Sequence, residues 1–373
     1  MSAILGEDKV YSFFADDVVA AEFIFASPEK THSRLESLNF LIDKESSGIL
    51  VTSLVGTKLH LPNPEVYKDS RIDLTLGEEH DLEALSKHLN HIGYQRVEKV
   101  LSPGEFSRSG DILDIYELIA EIPYRLELFG DVIDGIRQFD SDSQKSLDNL
   151  EHIIVSPADD IILTREDYQR AEKALESAVS KAEGTNKAYL EEVLWVTIDG
   201  YRHKDLRKFL SLFYDKAYTL FDYLPKGTPV FIDDFQKIVD RHGRLELEVA
   251  NLLTEDLHQG KSLSHLNYLV DSFKTLRNYQ PASFFSNFHK GLGNLKFDKL
   301  YQFTQYPMQE FFNQFPLLVD EIHRYTKNKA TVILQVGSEK QLKSLKETLE
   351  EYDLDLPLSS FGDLIPHKPQ LVL

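Results

Sequence analysis

The 373-residue sequence contains no cysteine, which excludes disulfide scaffolds, thiolate zinc sites and cysteine nucleophiles. It also lacks any apolar run near the roughly 18 residues that a membrane span needs, and its N-terminus lacks the charged-then-apolar pattern of a secretory signal. We therefore expect a cytoplasmic protein without membrane contact. The length exceeds what one hydrophobic core usually supports, which predicts two or three domains.

Basic residues are scarce relative to acidic ones. Lysine and arginine total 41 against 61 aspartates and glutamates, a formal net charge of −20. A chain with this charge repels the phosphate backbone of DNA unless its basic side chains are gathered on one face, and the sequence shows no such cluster. Composition therefore disfavours a DNA-binding module and indicates that the acids serve solubility.

The motifs of nucleotide hydrolysis are incomplete. "VFIDD" (Val230–Asp234) is similar to the acid-terminated strand that holds magnesium in such enzymes, and "GKS" occurs at Gly260–Ser262. A phosphate loop needs a glycine five residues before Gly260, where Glu255 stands, and it must follow a strand, whereas the preceding residues predict a helix. The sequence therefore predicts no nucleotide cofactor and no catalytic residue, and it makes Asp233 and Asp234 ordinary acids at a strand end.

Two histidines share a predicted helix face. His88 and His91 are three residues apart, and Glu79, His80 and Asp81 come just before the helix. Zinc bound by these side chains is one interpretation, and a solvated helix face is the other, which we favour. We expect no metal.

The order of predicted elements suggests separate domains. Residues 9–55 read as strand, helix and buried strand, an α/β beginning, and residues 61–70 contain two prolines that suggest a domain crossing. Residues 71–157 predict a small α+β domain with hairpins. Helices follow, the first opening with a capping box at Thr164 and Asp167. A further α/β unit ends at "PQLVL", predicted as a strand without a partner.

The hairpin "YRLELFGDVIDGI" places unusual residues on its solvent face. Gly130 and Asp131 predict a two-residue turn. A regular register across this turn would place on one exposed face the residues Arg125, Glu127, Phe129, Val132, Asp134 and Ile136. Glu127 and Asp134 would then lie opposite each other, with Arg125 near enough to relieve their repulsion. These residue types are typical of protein interfaces, although a polar face with Phe129 under a loop is the alternative.

Three segments resemble one protein family. "GYQRVEKVLSPGEFSRSGDILDIY", "IPYRLELFGDVIDGIRQFDSDSQKSL" and "YLPKGTPVFID" are similar to the N-terminal region of the bacterial transcription-repair coupling factor family (Mfd) and, more distantly, to UvrB. The resemblance extends from about Val10 to the end and is most specific between Gly93 and Leu147.

The resemblance implies an α/β multidomain architecture. A UvrB-like domain 1 with a degenerate P-loop-type fold would comprise residues 1–70, without its first βα unit, and 158–304. A small α+β domain 2 would be inserted at residues 71–157, and a truncated α/β domain 3 would occupy residues 305–373. The family's polymerase-binding domain and ATPase motor would lie outside this chain, which would be a non-catalytic fragment.

The resemblance also implies candidate binding residues. In the family and in UvrB the second domain docks onto UvrA, and the matching positions here are Arg125, Glu127 and Phe129. The family usually has an arginine where this chain has Ser109, so Arg108 is a fourth candidate. If Ser109 and Gly110 formed the hairpin turn, Arg108 would pair locally with Asp111.

The function implied is recruitment of UvrA to lesion-stalled RNA polymerase in transcription-coupled nucleotide excision repair of DNA damage. In full-length members the C-terminal domain is expected to mask the docking face, and contacts with RNA polymerase and DNA are expected from regions absent here. The alternative is a fragment of an ATP-dependent UvrB-like DNA repair helicase. That alternative requires a phosphate loop and an aromatic DNA-clamping hairpin, and neither is visible in the sequence.

Overall fold

The chain begins with a parallel βαβ unit, as predicted. Strands β1 (Val10–Phe13) and β2 (Ile49–Thr52) pair in parallel, with helix α1 (Pro28–Ile42) between them in the chain. The structure is a computed structural model that describes residues 6, 9–16, 27–43, 47–286, 295–304, 307 and 309–373. The chain consists of two compact units, residues 1–295 and 296–373.

A six-stranded sheet dominates the middle of the first unit. Its spatial order follows the chain, β4-β5-β6-β7-β8-β9. The strands are β4 (Gln95–Arg96), β5 (Glu105–Ser109), β6 (Ile112–Ile115), β7 (Tyr124–Phe129), β8 (Val132–Phe139) and β9 (Ser146–Leu150). All neighbours except β4 and β5 are antiparallel. Hairpin connections of this kind allow one sheet face to pack on a core and leave the other available to solvent.

Helix α3 (Leu82–His91) supplies apolar side chains to the core on one side of this sheet. The carboxylate of Asp81 caps the helix by accepting a hydrogen bond from the Glu83 amide at 2.8 Å. The helix buries Leu85 and Leu89, which belong to the same core cluster as Leu113 and Leu126 of the sheet. The hydrophobic pattern of the strands therefore fixes which face of the sheet is internal.

Two paired strands flank this segment in the sequence. Strand β3 (Ile72–Thr75) pairs antiparallel with β10 (His152–Val155), so the chain enters and leaves the segment side by side. Buried residues on both strands, Leu74 and Val155 among them, join the main core. This pairing accommodates an insertion, and the insertion at residues 71–157 stays a prediction.

The rest of the first unit is mainly helical. Helix α4 (Arg165–Val179) begins with the predicted capping box, in which Thr164 and Asp167 bond reciprocally. Strands β11 (Val230–Asp233) and β12 (Ala282–Phe285) form a parallel pair. The other helices described here are α2 (Pro64–Asp69), α5 (Gly184–Ile198), α6 (Leu206–Phe213), α7 (Leu220–Tyr223), α8 (Phe235–His258) and α9 (Phe273–Asn278).

The second unit is a small α/β fold of its own. Its parallel sheet has the order β13 (Val332–Gln335), β15 (Pro369–Val372) and β14 (Leu358–Ser359). The prediction that the final strand lacks a partner is wrong, because β15 pairs on both sides. Helix α10 (Phe315–Lys327) precedes β13 in the chain, and α11 (Glu339–Glu350) follows it.

The mixed α/β class is as predicted, whereas the specific degenerate P-loop-type fold stays a prediction. Within the described part of the chain, helices are too short or too polar to cross a membrane.

Candidate docking face

A β-bulge in β8 changes the register predicted for the hairpin. Phe129 pairs with Val132, as predicted, but the register shifts between Glu127 and Leu128. As a result Glu127 lies opposite Gly135, and Asp134 is the extra residue of the bulge. The predicted pairs of Glu127 with Asp134 and of Arg125 with Ile136 are therefore wrong.

The hydrophobic pattern accounts for this bulge. In a strictly alternating β8, a buried Ile133 would place Ile136 in solvent and Arg137 in the core. One extra residue restores Ile136 to the core, where it is 2% exposed and pairs with Leu126. Arg137 then lies on the solvent side opposite Arg125, so the bulge exchanges an isoleucine for an arginine on this face.

The resulting surface is called the Arg125 face below. It consists of Ser109, Ile112, Asp114, Arg125, Glu127, Phe129 and Arg137. Cross-strand pairing brings these residues together from β5, β6, β7 and β8. The three predicted candidates Arg125, Glu127 and Phe129 do share this face.

Arg125 is more enclosed than the sequence analysis predicted. Its Nε and Nη2 donate to Oδ1 and Oδ2 of Asp114, both at 2.7 Å, in a two-pronged ion pair. The side chain of Arg125 is only 18% exposed and that of Asp114 only 8%. Hydrogen bonding to Asp114 raises the pKa of Arg125 above its usual value, so the guanidinium stays a cation.

Two further residues hold the Arg125 guanidinium. Its Nη2 donates to Gln144 Oε1 at 3.2 Å, and Gln144 Nε2 donates in turn to the carbonyl of Ser141 at 2.7 Å. The Arg125 guanidinium carbon lies 4.5 Å from the centroid of the fully buried Phe139 ring, a cation–π contact. These contacts fix the guanidinium at one end of the face.

Glu127 has a cationic partner that the sequence analysis missed. Arg137 forms an ion pair with the Glu127 carboxylate, and the two side chains are 26% and 39% exposed. Gly135 stands opposite Glu127, and a Cβ there would come within 3.6 Å of Oε2 of Glu127. A regular register puts Arg137 on the core face, so only recognition of the bulge would have identified it.

Phe129 provides the apolar part of the face. Its ring is 82% exposed at the end of β7, just before the turn at Gly130 and Asp131. Gly130 has φ +64°, which the two-residue turn requires. Ile112, at the start of β6, adds a side chain that is 36% exposed. The loop-covered alternative for Phe129 is therefore wrong.

Arg108 lies on the other side of the sheet. Ser109 pairs with Ile112, so the turn consists of Gly110 and Asp111 and the predicted pairing of Arg108 with Asp111 is wrong. The Arg108 guanidinium instead donates to Glu83 of α3 at 2.8 Å. Ser109, where the family usually has arginine, is on the Arg125 face, and Arg108 cannot replace that arginine from the opposite side.

Ser262, Asp234 and His88, three of the remaining candidates, have structural partners. The Ser262 hydroxyl is buried 2.8 Å from the Tyr268 hydroxyl, after helix α8 rather than a strand. Asp234 caps α8 by accepting from the Lys237 amide at 3.4 Å, and the Lys237 ammonium lies 2.8 Å from Asp234 Oδ2. His88 Nε2 lies 2.9 Å from the Ser70 carbonyl. Among described residues, no cluster of three His, Cys, Asp or Glu side chains could hold a metal ion.

Comparisons with known proteins match both the segment that carries the Arg125 face and nearly the whole chain. The family model described as "UvrB interaction domain" matches residues 72–160. The transcription-repair-coupling factor of Bacillus subtilis strain 168 is 30% identical over 370 residues, which cover 96% of this chain and 31% of that protein.

Staphylococcal proteins of the same name are similar at lower identity. The relative from Staphylococcus epidermidis RP62A is 28% identical over 354 residues, covering 92% of this chain and 30% of that protein. The relative from Staphylococcus aureus RF122 is 27% identical over 353 residues, with the same coverage. The chain thus spans about three tenths of the length of the curated relatives it matches, and the resemblance seen in the sequence is confirmed.

Proposed function

Because residues 72–160 match the family model described as "UvrB interaction domain" and the chain is similar over nearly its whole length to transcription-repair-coupling factors, we propose that it binds UvrA through the Arg125 face. One observation carries this proposal. Within the matched residues 72–160, the aromatic ring of Phe129 is 82% exposed, and it shares its face with the ion-paired side chains of Arg125 and Glu127. Exposed aromatic rings flanked by arginine are typical centres of protein interfaces.

The face is prepared for binding because its side chains are already fixed. The Asp114 carboxylate holds the Arg125 guanidinium, and Arg137 holds the Glu127 carboxylate, so docking loses little rotamer freedom there. Covering the Phe129 ring would contribute about 2 kcal/mol from apolar burial. We therefore assign affinity chiefly to Phe129, and orientation to the two ion pairs around it.

The proposed module is non-catalytic. The "GKS" segment follows a helix, and its serine bonds to Tyr268, which in turn donates to Asp256 at 2.7 Å. A serine enclosed in this way is not available to magnesium or phosphate. The support for recruitment of another protein is therefore stronger than the support for chemistry within this chain.

At the level of the whole protein, we propose that this module brings UvrA to RNA polymerase stalled at a lesion. The name that the relatives carry, transcription-repair-coupling factor, supports that role. Masking of the Arg125 face by a C-terminal domain of the full-length protein belongs to the same proposal. Such masking would restrict UvrA binding to protein that has already bound the stalled RNA polymerase.

Substitution of Phe129 tests the proposal. In a calorimetric titration with purified UvrA, we expect Phe129→Ala to weaken binding by at least tenfold, because the exposed ring loses its apolar contact. The melting temperature should stay within a few degrees of the parent, since an 82% exposed ring contributes little to the core.

The matched control is Phe231→Ala. Phe231 is also a largely exposed phenylalanine, at 65%, but it lies on β11 outside the matched segment. This control should bind UvrA like the parent. Equal affinity of parent and Phe129→Ala would show that the Arg125 face is not the docking surface.

A further inference from the structure

The bulge in β8 places a second arginine on the Arg125 face. Arg125 and Arg137 are directly paired across β7 and β8, an arrangement of like charges that normally costs stability. Each guanidinium is turned toward a different carboxylate, Asp114 for Arg125 and Glu127 for Arg137. The face thus contains two cations and two anions in alternation.

The two arginines differ in how exposed they are and in how many of their N–H groups already have partners within the face. Arg125 uses Nε and Nη2 on Asp114 and shares Nη2 with Gln144. Glu127 pairs with one terminal nitrogen of Arg137, and the other lies 3.5 Å from the Ser146 hydroxyl, at the limit of a hydrogen bond. Arg137 is 26% exposed against 18% for Arg125. Arg137 is therefore the more accessible cation of the face.

We propose that Arg137 is a further docking residue, which contacts a carboxylate on the partner protein while it holds Glu127 in place. This inference rests on the proposed function and names the chemistry of the same face. A planar guanidinium with terminal N–H groups to spare can hold one carboxylate within the face and donate hydrogen bonds to a second carboxylate from outside. The partner would thus present an acidic side chain beside the apolar recess that receives Phe129.

The test uses R137Q in calorimetric titrations with UvrA. We expect R137Q to weaken binding at least tenfold, because the charge and the forked donor are lost together. We also expect the affinity of the parent to fall more steeply with added salt than that of R137Q, since one ion pair across the interface is missing from the variant. A purely structural role for Arg137 would not change the salt dependence.

The matched control is R241Q. Arg241 forms an ion pair with Glu248 at 2.7 Å, with side chains 26% and 45% exposed, on helix α8 outside the matched segment. The melting temperature of R241Q should equal that of R137Q within a few degrees, and the affinity of R241Q for UvrA should equal that of the parent.

A second comparison separates direct contact from support of Glu127. If Arg137 contacts the partner, R137Q should still weaken binding at least fivefold in an E127Q background, whereas no additional loss would overturn direct contact. Parent-like binding by R137Q, within twofold, would overturn the inference and leave the proposed function standing. Failure of the parent chain itself to bind UvrA would overturn both.

Discussion

At the scale of single residues, Arg125 has a structural role besides its place in the proposed docking face. The solvent face to which the sequence assigned Arg125 would suggest that reversal of its charge leaves the fold intact. The structure shows that it neutralises the buried carboxylate of Asp114 and that it covers the buried Phe139 ring. Strand alternation identifies the face of a residue, but not the partners that reach it from a later turn such as the one holding Gln144.

Arg125→Glu is therefore expected to destabilise the chain as well as abolish UvrA binding. The variant leaves the Asp114 carboxylate without its cation and brings a second carboxylate beside it. A broken buried pair typically costs 3–5 kcal/mol, and because Arg125 is partly exposed we expect a loss of about 2–3 kcal/mol. Urea unfolding followed by circular dichroism measures this loss.

Arg108→Glu serves as the control for charge reversal on this sheet. Arg108 pairs with Glu83, whose side chain is 59% exposed, so the stability loss should stay below about 1 kcal/mol. An Arg125→Glu variant that unfolds at the same urea concentration as the parent would contradict the structural role assigned to Arg125.

At the scale of elements, the sequence predicts the strands but not every detail of their register. The β7–β8 turn was predicted correctly because Gly130 and Asp131 stand between two alternating runs. The bulge was missed because its cause is the choice between burying Ile136 and burying Arg137, which local spacing does not resolve. The β5–β6 turn was misplaced by one residue because "SG" and "GD" are both acceptable turn sequences.

A buried ion cluster ties several elements to the end of the matched segment. Asp160 is 1% exposed and forms two ion pairs. Its Oδ2 lies 2.7 Å from Nε of Arg34 on α1, and its Oδ1 lies 2.6 Å from Nη2 of Arg207 on α6. Burial alone would raise the pKa of Asp160, but Arg207 and Arg34 together lower it below its usual value. Sequence patterns did not reveal this cluster, because its members are far apart in the chain.

Arg34→Met is expected to lower stability by about 3 kcal/mol at pH 7, because it leaves a buried carboxylate with only Arg207. The pKa of Asp160 is lower in the folded chain than in the unfolded chain, so the cluster stabilises the fold above about pH 4, the unfolded value, and this contribution is lost as the pH falls. The stability difference between parent and variant should therefore shrink from pH 7 to pH 3.

Urea unfolding at several pH values checks this expectation. Arg241→Met is the control. Its partner Glu248 is 45% exposed, so the variant should lose less than about 1 kcal/mol of unfolding free energy. A difference between parent and Arg34→Met that is constant over this pH range would contradict the assigned role of Asp160.

At the scale of the whole molecule, the sequence suggested the function that is proposed, whereas the geometry of the face came from the structure. The three segments "GYQRVEKVLSPGEFSRSGDILDIY", "IPYRLELFGDVIDGIRQFDSDSQKSL" and "YLPKGTPVFID" together suggested the family resemblance and the candidate docking segment. Geometry was needed to find Arg137 and to exclude Arg108 from the face. The boundaries between the proposed domains stay predictions, since the two compact units divide the chain only at residue 295.

The most direct test of the central claim is competition for UvrA. The chain is titrated into UvrA by calorimetry, alone and after saturation of UvrA with UvrB. If the Arg125 face is a UvrB-like docking surface, the chain should bind free UvrA and show no binding to UvrA already occupied by UvrB. Absence of binding to free UvrA, or undiminished binding in the presence of UvrB, would contradict this account.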